Sequence, residues 1–208
     1  YDVDKDFQPL AMVLRTPFFV AVAADSPYQR VEDIVEAAKA RPEGVTYGSW
    51  FVGSPGHIGA LQLQALSGST MRHVPYRDFG QLYAAVSTRE VDWALGSIAS
   101  AGGFERGGKL RFLAVAAPAR DPLYPQVPAT AESARLRGFE VSAWAGLFAA
   151  RATPVALGER IATDIRAAMA LPVVQERYRT FGYEAPRLDP AQFTQLIRQE
   201  TEAWRGVI

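Results

Sequence analysis

Positions 18–38 read FFVAVAADSPYQRVEDIVEAA, and this stretch decides the fold class. Residues 18–23 form a continuous apolar run, as expected for a β-strand that is covered on both faces. After a break at Asp25-Ser26-Pro27, apolar residues recur at helical spacing, with acidic residues between them. A buried strand followed by an amphipathic helix is the repeating unit of α/β proteins. The apolar helical positions are Val31, Ile34, Val35 and Ala38.

The same alternation continues along the chain. After the short strand at 45–47, a helix is predicted from about His57 to Leu66, with Ile58, Leu61 and Ala65 on its buried face. Thr153 is predicted to cap a later helix that has Pro154 at its first position. We therefore predict an α/β fold with largely parallel sheets. The other predicted strands are 73–76, 91–95, 109–116 and 140–148, and two further helices start near Pro172 and Asp189.

Composition excludes several classes of function. The chain has 208 residues, and 22 Lys and Arg balance 22 Asp and Glu, whereas nucleic-acid-binding proteins are usually basic. Cysteine is absent, which excludes disulfides, thiolate nucleophiles, cysteine–zinc sites and iron–sulfur clusters. No apolar run reaches the length needed to span a bilayer. We therefore predict no nucleic-acid partner and no membrane-spanning segment.

In α/β folds, ligands bind beyond the carboxyl ends of the strands. That rule selects the turns that start at Gly48, Pro75 and Gly96. The first turn is the most informative, because Ser54 is placed as an N-cap and Pro55 as the first helical residue. A helix start carries partial positive charge and unpaired N–H donors, so it can hold a carboxylate without Arg or Lys.

Each candidate also has a plain structural interpretation, and the sequence leaves both open. The turn from Gly48 to His57, which includes Ser49 and Gly53, can be an ordinary strand–turn–helix connection. Tyr76 and Ser97 stand at strand ends, where each side chain either reaches a ligand or packs locally. Trp50 lies in a glycine-rich loop, where it lines a pocket or packs between lobes.

Enzymatic sites are poorly supported. The Gly-x-x-x-x-Gly-Ser pattern lacks the lysine of a nucleotide-binding P-loop, and no dinucleotide fingerprint is present. A metal site is not expected, because the chain has two histidines and only Asp78 near them in sequence. A hydrolase triad can be written from Ser54, His57 and Asp92, but the G-x-S-x-G elbow is missing. We predict no cofactor, no metal and no catalysis, with a serine hydrolase as a remote alternative.

A set of short motifs, in order along the whole chain, resembles the solute-binding receptors of tripartite tricarboxylate transporters, also called Bug-type receptors. Singly the motifs are weak, but their order and spacing are specific. They are Tyr47-Gly48-Ser49…Gly53-Ser54…His57, His73-Val74-Pro75-Tyr76, Val91-Asp92, Gly108-Lys109-Leu110-Arg111, Val127-Pro128-x-x-Ala131-Glu132 and Gly138-Phe139-Glu140-Val141.

The resemblance implies a periplasmic receptor with a periplasmic-binding-protein-like (type II) fold of two α/β lobes. Such a receptor closes on a small carboxylate (a di- or tricarboxylate, an acidic amino acid or an aromatic carboxylate) without a cofactor, and delivers it to membrane permease subunits. The ligand-binding residues expected on this basis are Gly48, Ser49, Trp50, Gly53, Ser54, His57, Tyr76 and Ser97.

The sequence departs from the family pattern in three ways. It starts after the first βαβ unit, so residues 20–116 are expected to form one complete lobe, and residues 1–19 and 117–208 only part of the other. An incomplete lobe should expose a sheet edge, which favours dimerisation. Trp50 and Phe51 replace small polar residues, which shrinks the pocket or favours an aromatic or apolar ligand. Gly96-Ser97-Ile98 stands where the family often has an acidic or amide residue.

One further alternative stays open at the level of sequence. A ligand-sensing domain of a regulator can have the same fold, since fold does not fix function.

Overall fold

The computed structural model describes residues 2–205, which divide into two compact units. The larger unit is Pro17–Ser142, and the smaller unit combines residues 2–16 with residues 143–205. The strands are β1 (Phe7–Pro17), β2 (Phe19–Ala23), β3 (Thr46–Ser49), β4 (Arg72–Pro75), β5 (Trp93–Gly96), β6 (Leu110–Val115) and β7 (Ser142–Ala150). The helices are α1 (Val3–Asp6), α2 (Val31–Ala40), α3 (Pro55–Ser67), α4 (Phe79–Ser87), α5 (Ile98–Arg106), α6 (Val155–Met169), α7 (Pro172–Phe181) and α8 (Pro190–Arg205).

The larger unit contains a five-stranded sheet in the order β4-β3-β5-β2-β6. Strand β3 is parallel to β4 and β5, whereas β2 is antiparallel to both β5 and β6. Four strands therefore share one direction, as predicted, and β2 is the exception. A continuous apolar run indicates burial on both faces of a strand but carries no information on its direction.

Helices cover both faces of this sheet. On one face, α4 and α5 pack over a cluster that includes Phe19, Leu82, Tyr83 and Phe112. Helix α2 buries Val31, Ile34, Val35 and Ala38, which are the four positions predicted from the sequence. Every residue of β2 is buried.

Helix α3 starts and ends where the sequence predicts but buries a different face. Ser54 is its N-cap, and Gly68 ends it in a left-handed conformation with φ of 64°. The predicted face of Ile58, Leu61 and Ala65 is wrong, because the first two are only half-buried and Ala65 is exposed. A Cβ atom on the glycine at position 59 would lie 2.6 Å from Leu95 Cδ1, so small residues let the helix approach the sheet closely. The buried residues of α3 are Gly56, Gly59, Ala60 and Leu63.

The smaller unit consists of the two-stranded sheet β1–β7 and helices α1, α6, α7 and α8. Phe193 of α8 is fully buried and makes an edge contact with the Trp144 ring at 5.1 Å. Helix α8 starts where the sequence predicts, with a capping box in which the amide of Gln192 donates to Asp189 Oδ1 at 2.8 Å and the amide of Asp189 donates to Gln192 Oε1 at 3.0 Å. Helix α6 begins at Val155, one residue later than predicted.

No helix within residues 2–205 is both long and apolar enough to cross a membrane. The two units are defined by contacts within the chain, and the lobe boundaries expected near residues 20 and 116 stay a prediction.

Candidate functional site

The carboxyl ends of β3, β4, β5 and β6 meet at one edge of the sheet in the larger unit. From β3 the chain passes to β4 on one side and then returns to β5 on the other side. The ends of β3 and β5 therefore form a topological switch point, where open α/β sheets bind their ligands. Helix α3 follows β3, and helix α5 follows β5.

The start of α3 presents fewer free donors than its sequence suggests. The Ser54 hydroxyl accepts a hydrogen bond from the amide of His57 at 3.3 Å, and the Ser54 amide donates to Phe51 O at 3.2 Å. Pro55 has no N–H group. The remaining first-turn residue is Gly56, which is buried, and a Cβ atom there would lie 2.7 Å from the Trp50 ring.

The start of α5 keeps two amides without a hydrogen-bond acceptor inside the helix. Ser97 is the N-cap, and its hydroxyl accepts from the amide of Ser100 at 3.3 Å, while the Ser97 amide donates to Ser100 Oγ at 3.0 Å. The Tyr83 hydroxyl lies 3.0 Å from Ser100 Oγ and fixes this cap. The amides of Ile98 and Ala99 occupy the first helical turn, where no intrahelical acceptor exists.

Helix α5 was not predicted from the sequence. Its segment contains two glycines and a serine, which are weak helix formers. The available signal was the Ser97-x-x-Ser100 spacing, which works as a capping box although Ser replaces the usual Glu or Gln.

Two histidines hold the turn between β3 and α3. His73 Nε2 lies 2.7 Å from the buried Ser49 hydroxyl, which donates to Phe51 O at 3.0 Å. His57 Nδ1 accepts from the amide of Gly53 at 3.1 Å, and the two imidazole rings stack at 4.1 Å. Burial and the neighbouring His57 lower the pKa of His73 to about 4, and burial lowers the pKa of His57. Both rings are therefore neutral at pH 7, and their hydrogen bonds stabilise the turn.

The glycines of this turn have different roles. A Cβ at Gly48 would lie 2.4 Å from Leu82 Cδ1, so this position is constrained by packing against α4. Gly53 has φ of 84° and open space around it, so its requirement is conformational.

Tyr76 is bonded to the turn through its backbone and to Glu90 through its side chain. Its amide donates to Ser49 O at 2.8 Å, and its hydroxyl donates to Glu90 Oε1 at 3.3 Å. Burial, followed by the Glu90 charge, raises the pKa of Tyr76 to about 12. Its phenol is therefore protonated and already paired at neutral pH.

Aromatic rings border the same edge. Trp50 makes an edge contact with Phe18 at 5.7 Å and packs against Phe79 at 4.8 Å. Phe51 stands perpendicular to Trp50 at 6.3 Å. We call Phe18, Trp50, Phe51 and Phe79 the ring cluster. Sequence analysis did not connect Phe18 and Phe79 with the site, because only the fold brings them to Trp50.

The remote hydrolase alternative is not supported by the geometry. Asp92 Oδ2 accepts from the amide and the hydroxyl of Thr46 at 2.7 and 2.8 Å. His57 uses Nδ1 as an acceptor for Gly53, so it cannot donate from that atom to a carboxylate. The triad of Ser54, His57 and Asp92 is therefore not assembled. Within residues 2–205, no three His, Asp or Glu side chains are grouped to hold a metal ion.

A hollow of about 490 Å³ lies in the larger unit beside β6 and is lined by two arginines. The Arg111 guanidinium group donates to Gln29 Oε1 and to the carbonyl oxygens of Ser26 and Tyr28. The Arg30 guanidinium group lies 3.4 Å from Asp33 Oδ1. These contacts occupy both cations, so the hollow is a weaker candidate for an acidic ligand than the edge at α5.

Comparisons with known proteins agree with this architecture. The family described as "Tripartite tricarboxylate transporter family receptor" matches residues 1–208. The UPF0065 protein in the tcbD-tcbE intergenic region of Pseudomonas sp. (strain P51) is 31% identical over 208 residues, which cover 100% of this chain and 62% of the relative. The chain thus spans about three fifths of the length of the curated relatives it matches.

Solved structures give the same result. MatC (Rpa3494) from Rhodopseudomonas palustris with bound malate is 28% identical, has a TM-score of 0.89, and is matched over 100% of this chain and 71% of its own. R. palustris Rpa4515 with adipate is 25% identical and has a TM-score of 0.90. The match covers 100% of this chain and 69% of Rpa4515. The periplasmic binding protein BugD, at 23% identity over 95% of this chain and 67% of its own, shares the fold with a TM-score of 0.84.

These matches confirm the α/β periplasmic-binding-protein fold that the sequence predicted, and they are solute-binding proteins rather than enzymes. The chain therefore belongs to the receptor family of the tripartite tricarboxylate transporters.

Proposed function

We propose that this chain is the ligand-binding part of a periplasmic receptor that captures a small carboxylate and delivers it to the membrane subunits of a tripartite transporter. The observation that carries the proposal is the pair of first-turn amides of α5, those of Ile98 and Ala99, at the switch point between β3 and β5. Solved relatives with malate and adipate support an acidic ligand.

In this proposal, the amides of Ile98 and Ala99 donate to the ligand carboxylate. The partial positive charge at a helix start contributes about 0.3–1 kcal/mol to binding an anion, and more where the site is partly buried. Ser97 holds these amides in place through its cap. Arg77, which follows Tyr76, is exposed and has no ion-pair partner among residues 2–205, so it adds positive charge to the same edge.

The remaining predicted site residues fall into two groups in this proposal, those that contact the ligand and those that shape the turn. Trp50 and Tyr76 border the ligand. The others shape the turn, since their backbone and side-chain groups are already bonded or packed within it. These shaping residues are Gly48, Ser49, Gly53, Ser54 and His57.

The proposal includes the two lobes predicted from the sequence, one at 20–116 and the other at 1–19 and 117–208. It also includes the periplasm as the location and permease subunits as partners. Exposed apolar side chains in the smaller unit, such as Val155 and Val173, favour the predicted dimer. Size-exclusion chromatography with light scattering, over a range of concentrations, tests the dimer directly.

Isothermal titration calorimetry of the chain tests the ligand class. The panel contains malate, adipate, citrate, glutamate and benzoate, with a neutral amide of each as the charge control. We expect micromolar binding of at least one acid, which corresponds to about −8 kcal/mol, and weaker binding of its amide. Binding of neutral solutes alone, or of none of the panel, would contradict the proposal.

A pair of proline substitutions tests the α5 amides. Ala99→Pro removes one N–H group from the second position of α5, in the first turn, where proline is tolerated. Ala156→Pro is the matched control, because it makes the same change at the second position of α6. We expect Ala99→Pro to weaken acid binding by about tenfold or more, as for a hydrogen bond to a charged group, and Ala156→Pro to leave it unchanged. Equal affinities in both variants would show that the α5 amides do not bind the ligand.

A further inference from the structure

The ring cluster places exposed aromatic surface beside the proposed carboxylate site. Phe51 is 54% exposed and Phe79 is 41% exposed, although both are large apolar side chains. Contiguous exposed apolar surface usually marks a binding site. The inference below rests on the proposed function and concerns the body of the ligand rather than its charge.

The cluster is held in a fixed arrangement. Trp50 rests on Gly56 and is contacted at its edge by Phe18. Phe79 stacks on the fully buried Tyr83, with ring centroids 6.1 Å apart and an angle of 6° between the planes. Rings fixed by such contacts lose little conformational freedom on binding, which favours affinity.

Pairing of the strands places this surface near the start of α5. Phe18 directly precedes Phe19, which pairs with Gly96, and Gly96 directly precedes the α5 cap at Ser97. Adjacent strands lie about 5 Å apart. One small molecule can therefore contact the rings with one end and the α5 amides with the other.

Polar side chains at this edge are mostly occupied. The Ser49 and Ser54 hydroxyls are buried and bonded within the turn, and the Tyr76 hydroxyl is paired with Glu90. Apart from the exposed Arg77, few side-chain groups at this edge remain to receive the hydroxyl groups or the second carboxylate of an aliphatic acid.

We infer that the ligand is a carboxylate carried on a flat, aromatic body, which lies against Phe51, Trp50 and Phe79 while its acid group meets the start of α5. In this arrangement Trp50 packs against Gly56 in the first turn of α3, which leaves little room for the acid group there. The ring cluster thus selects the ligand body, and α5 selects its charge.

Calorimetry with size-matched acids tests this inference. Benzoate is compared with cyclohexanecarboxylate, which has a similar size and the same charge but no aromatic ring, and with malate and adipate. Benzamide is the neutral control. We expect benzoate to bind at least about tenfold more tightly than the three aliphatic acids, consistent with a few favourable ring contacts.

Four variants, one of them a control, assign the effect to the cluster. Phe51→Ala and Phe79→Ala should each weaken benzoate binding by about three- to tenfold, the range expected for loss of one ring contact, and weaken malate binding by less. Leu66→Ala is the control, because Leu66 is similarly exposed at 49% but lies near the other end of α3, about 16 Å along its axis from Pro55. Phe51→Leu keeps an apolar side chain without the ring and should behave like Phe51→Ala.

The outcomes separate the two ideas. If an aliphatic acid binds as tightly as benzoate, or if the Phe51 and Phe79 variants match Leu66→Ala, the inference is wrong and the proposed function stands. If no acid binds and the chain is folded by circular dichroism, both fail. Tight benzoate binding that is lost in the Phe51 and Phe79 variants alone supports the inference.

Discussion

The two units of the chain differ in how far they bury their own apolar residues. In the larger unit, all residues of β2, β3 and β5 are buried. In the smaller unit, neither β7 nor α7 contains a fully buried residue. Val173 of α7 is 67% exposed.

Sheet size gives the physical reason for this difference. A five-stranded sheet covered by helices on both faces provides enough surface to exclude water from its strands. A two-stranded sheet is marginal by itself and cannot cover the helices beside it. Apolar patterning is similar in both units. The pattern therefore predicts which positions are candidates for the core, and the number of strands decides which of them are buried.

The largest expected effect is the loss of a core side chain from the larger unit. Leu82 is fully buried, so Leu82→Ala should lower the free energy of unfolding by about 2–5 kcal/mol. Leu147→Ala in β7 makes the same change at a half-exposed position and should cost much less. Urea unfolding followed by circular dichroism measures both. Equal losses would contradict the contrast between the units.

The next largest expected effect tests the close contact between α3 and the sheet of the larger unit. Gly59→Ala should destabilise the larger unit by about 1–3 kcal/mol, because the new methyl group would meet Leu95 and Val141. Gly103→Ala is the matched control, since nothing lies within 4 Å of that position in α5. The control should stabilise by about 0.5–1 kcal/mol through helix propensity. Thermal unfolding distinguishes the two directions, and stabilisation by both variants would show that α3 can move away from the sheet.

A third effect depends on pH and belongs to the larger unit alone, which contains both histidines. Since the pKa values of His57 and His73 are lowered by folding, the unfolded state binds protons more readily. Their contribution to stability is complete above about pH 6.5, the ordinary value for histidine, and is lost as the pH falls towards about 4, the value for His73.

Urea midpoints between pH 4.5 and 7 measure this dependence. His73→Phe keeps a ring against Tyr47 but cannot be protonated, so its midpoint should change less with pH than that of the wild type. An unchanged slope in the variant would show that other groups cause the acid sensitivity.

The smallest expected effect concerns an exposed ion pair. Arg135 Nη1 lies 2.7 Å from Glu36 Oε1 and connects the segment before β7 with α2. Arg135→Gln should cost less than about 1 kcal/mol, as is usual for pairs in contact with water. Glu36→Gln should cost a similar amount, and a loss above 2 kcal/mol in urea unfolding would mean that the pair has a larger part in holding this segment.

Several elements could be predicted from the sequence because their signals are local. The cap at Ser54, the left-handed end at Gly68 and the Asp189–Gln192 capping box depend on residues three or four positions apart. The buried positions of α2 follow from a regular helical period. The family resemblance rested on local motifs in the same way and is confirmed over residues 1–208.

Other features depend on residues that are distant in sequence. The buried face of α3 is set by Leu95 and Val141, which require glycine at position 59. The occupation of the Ser49 hydroxyl depends on His73, and that of the Tyr76 phenol depends on Glu90. None of these partners can be identified from periodicity.

The sequence by itself determined the α/β class, the family and the edge of the sheet where a ligand is expected, because strand–helix alternation and short motifs are written in neighbouring residues. Only the tertiary structure decided which helix start keeps free donors and which rings border it. Trp50 covers the start of α3, and Phe18 and Phe79 join it, because strand pairing and helix packing bring together side chains that are 29 to 32 positions apart.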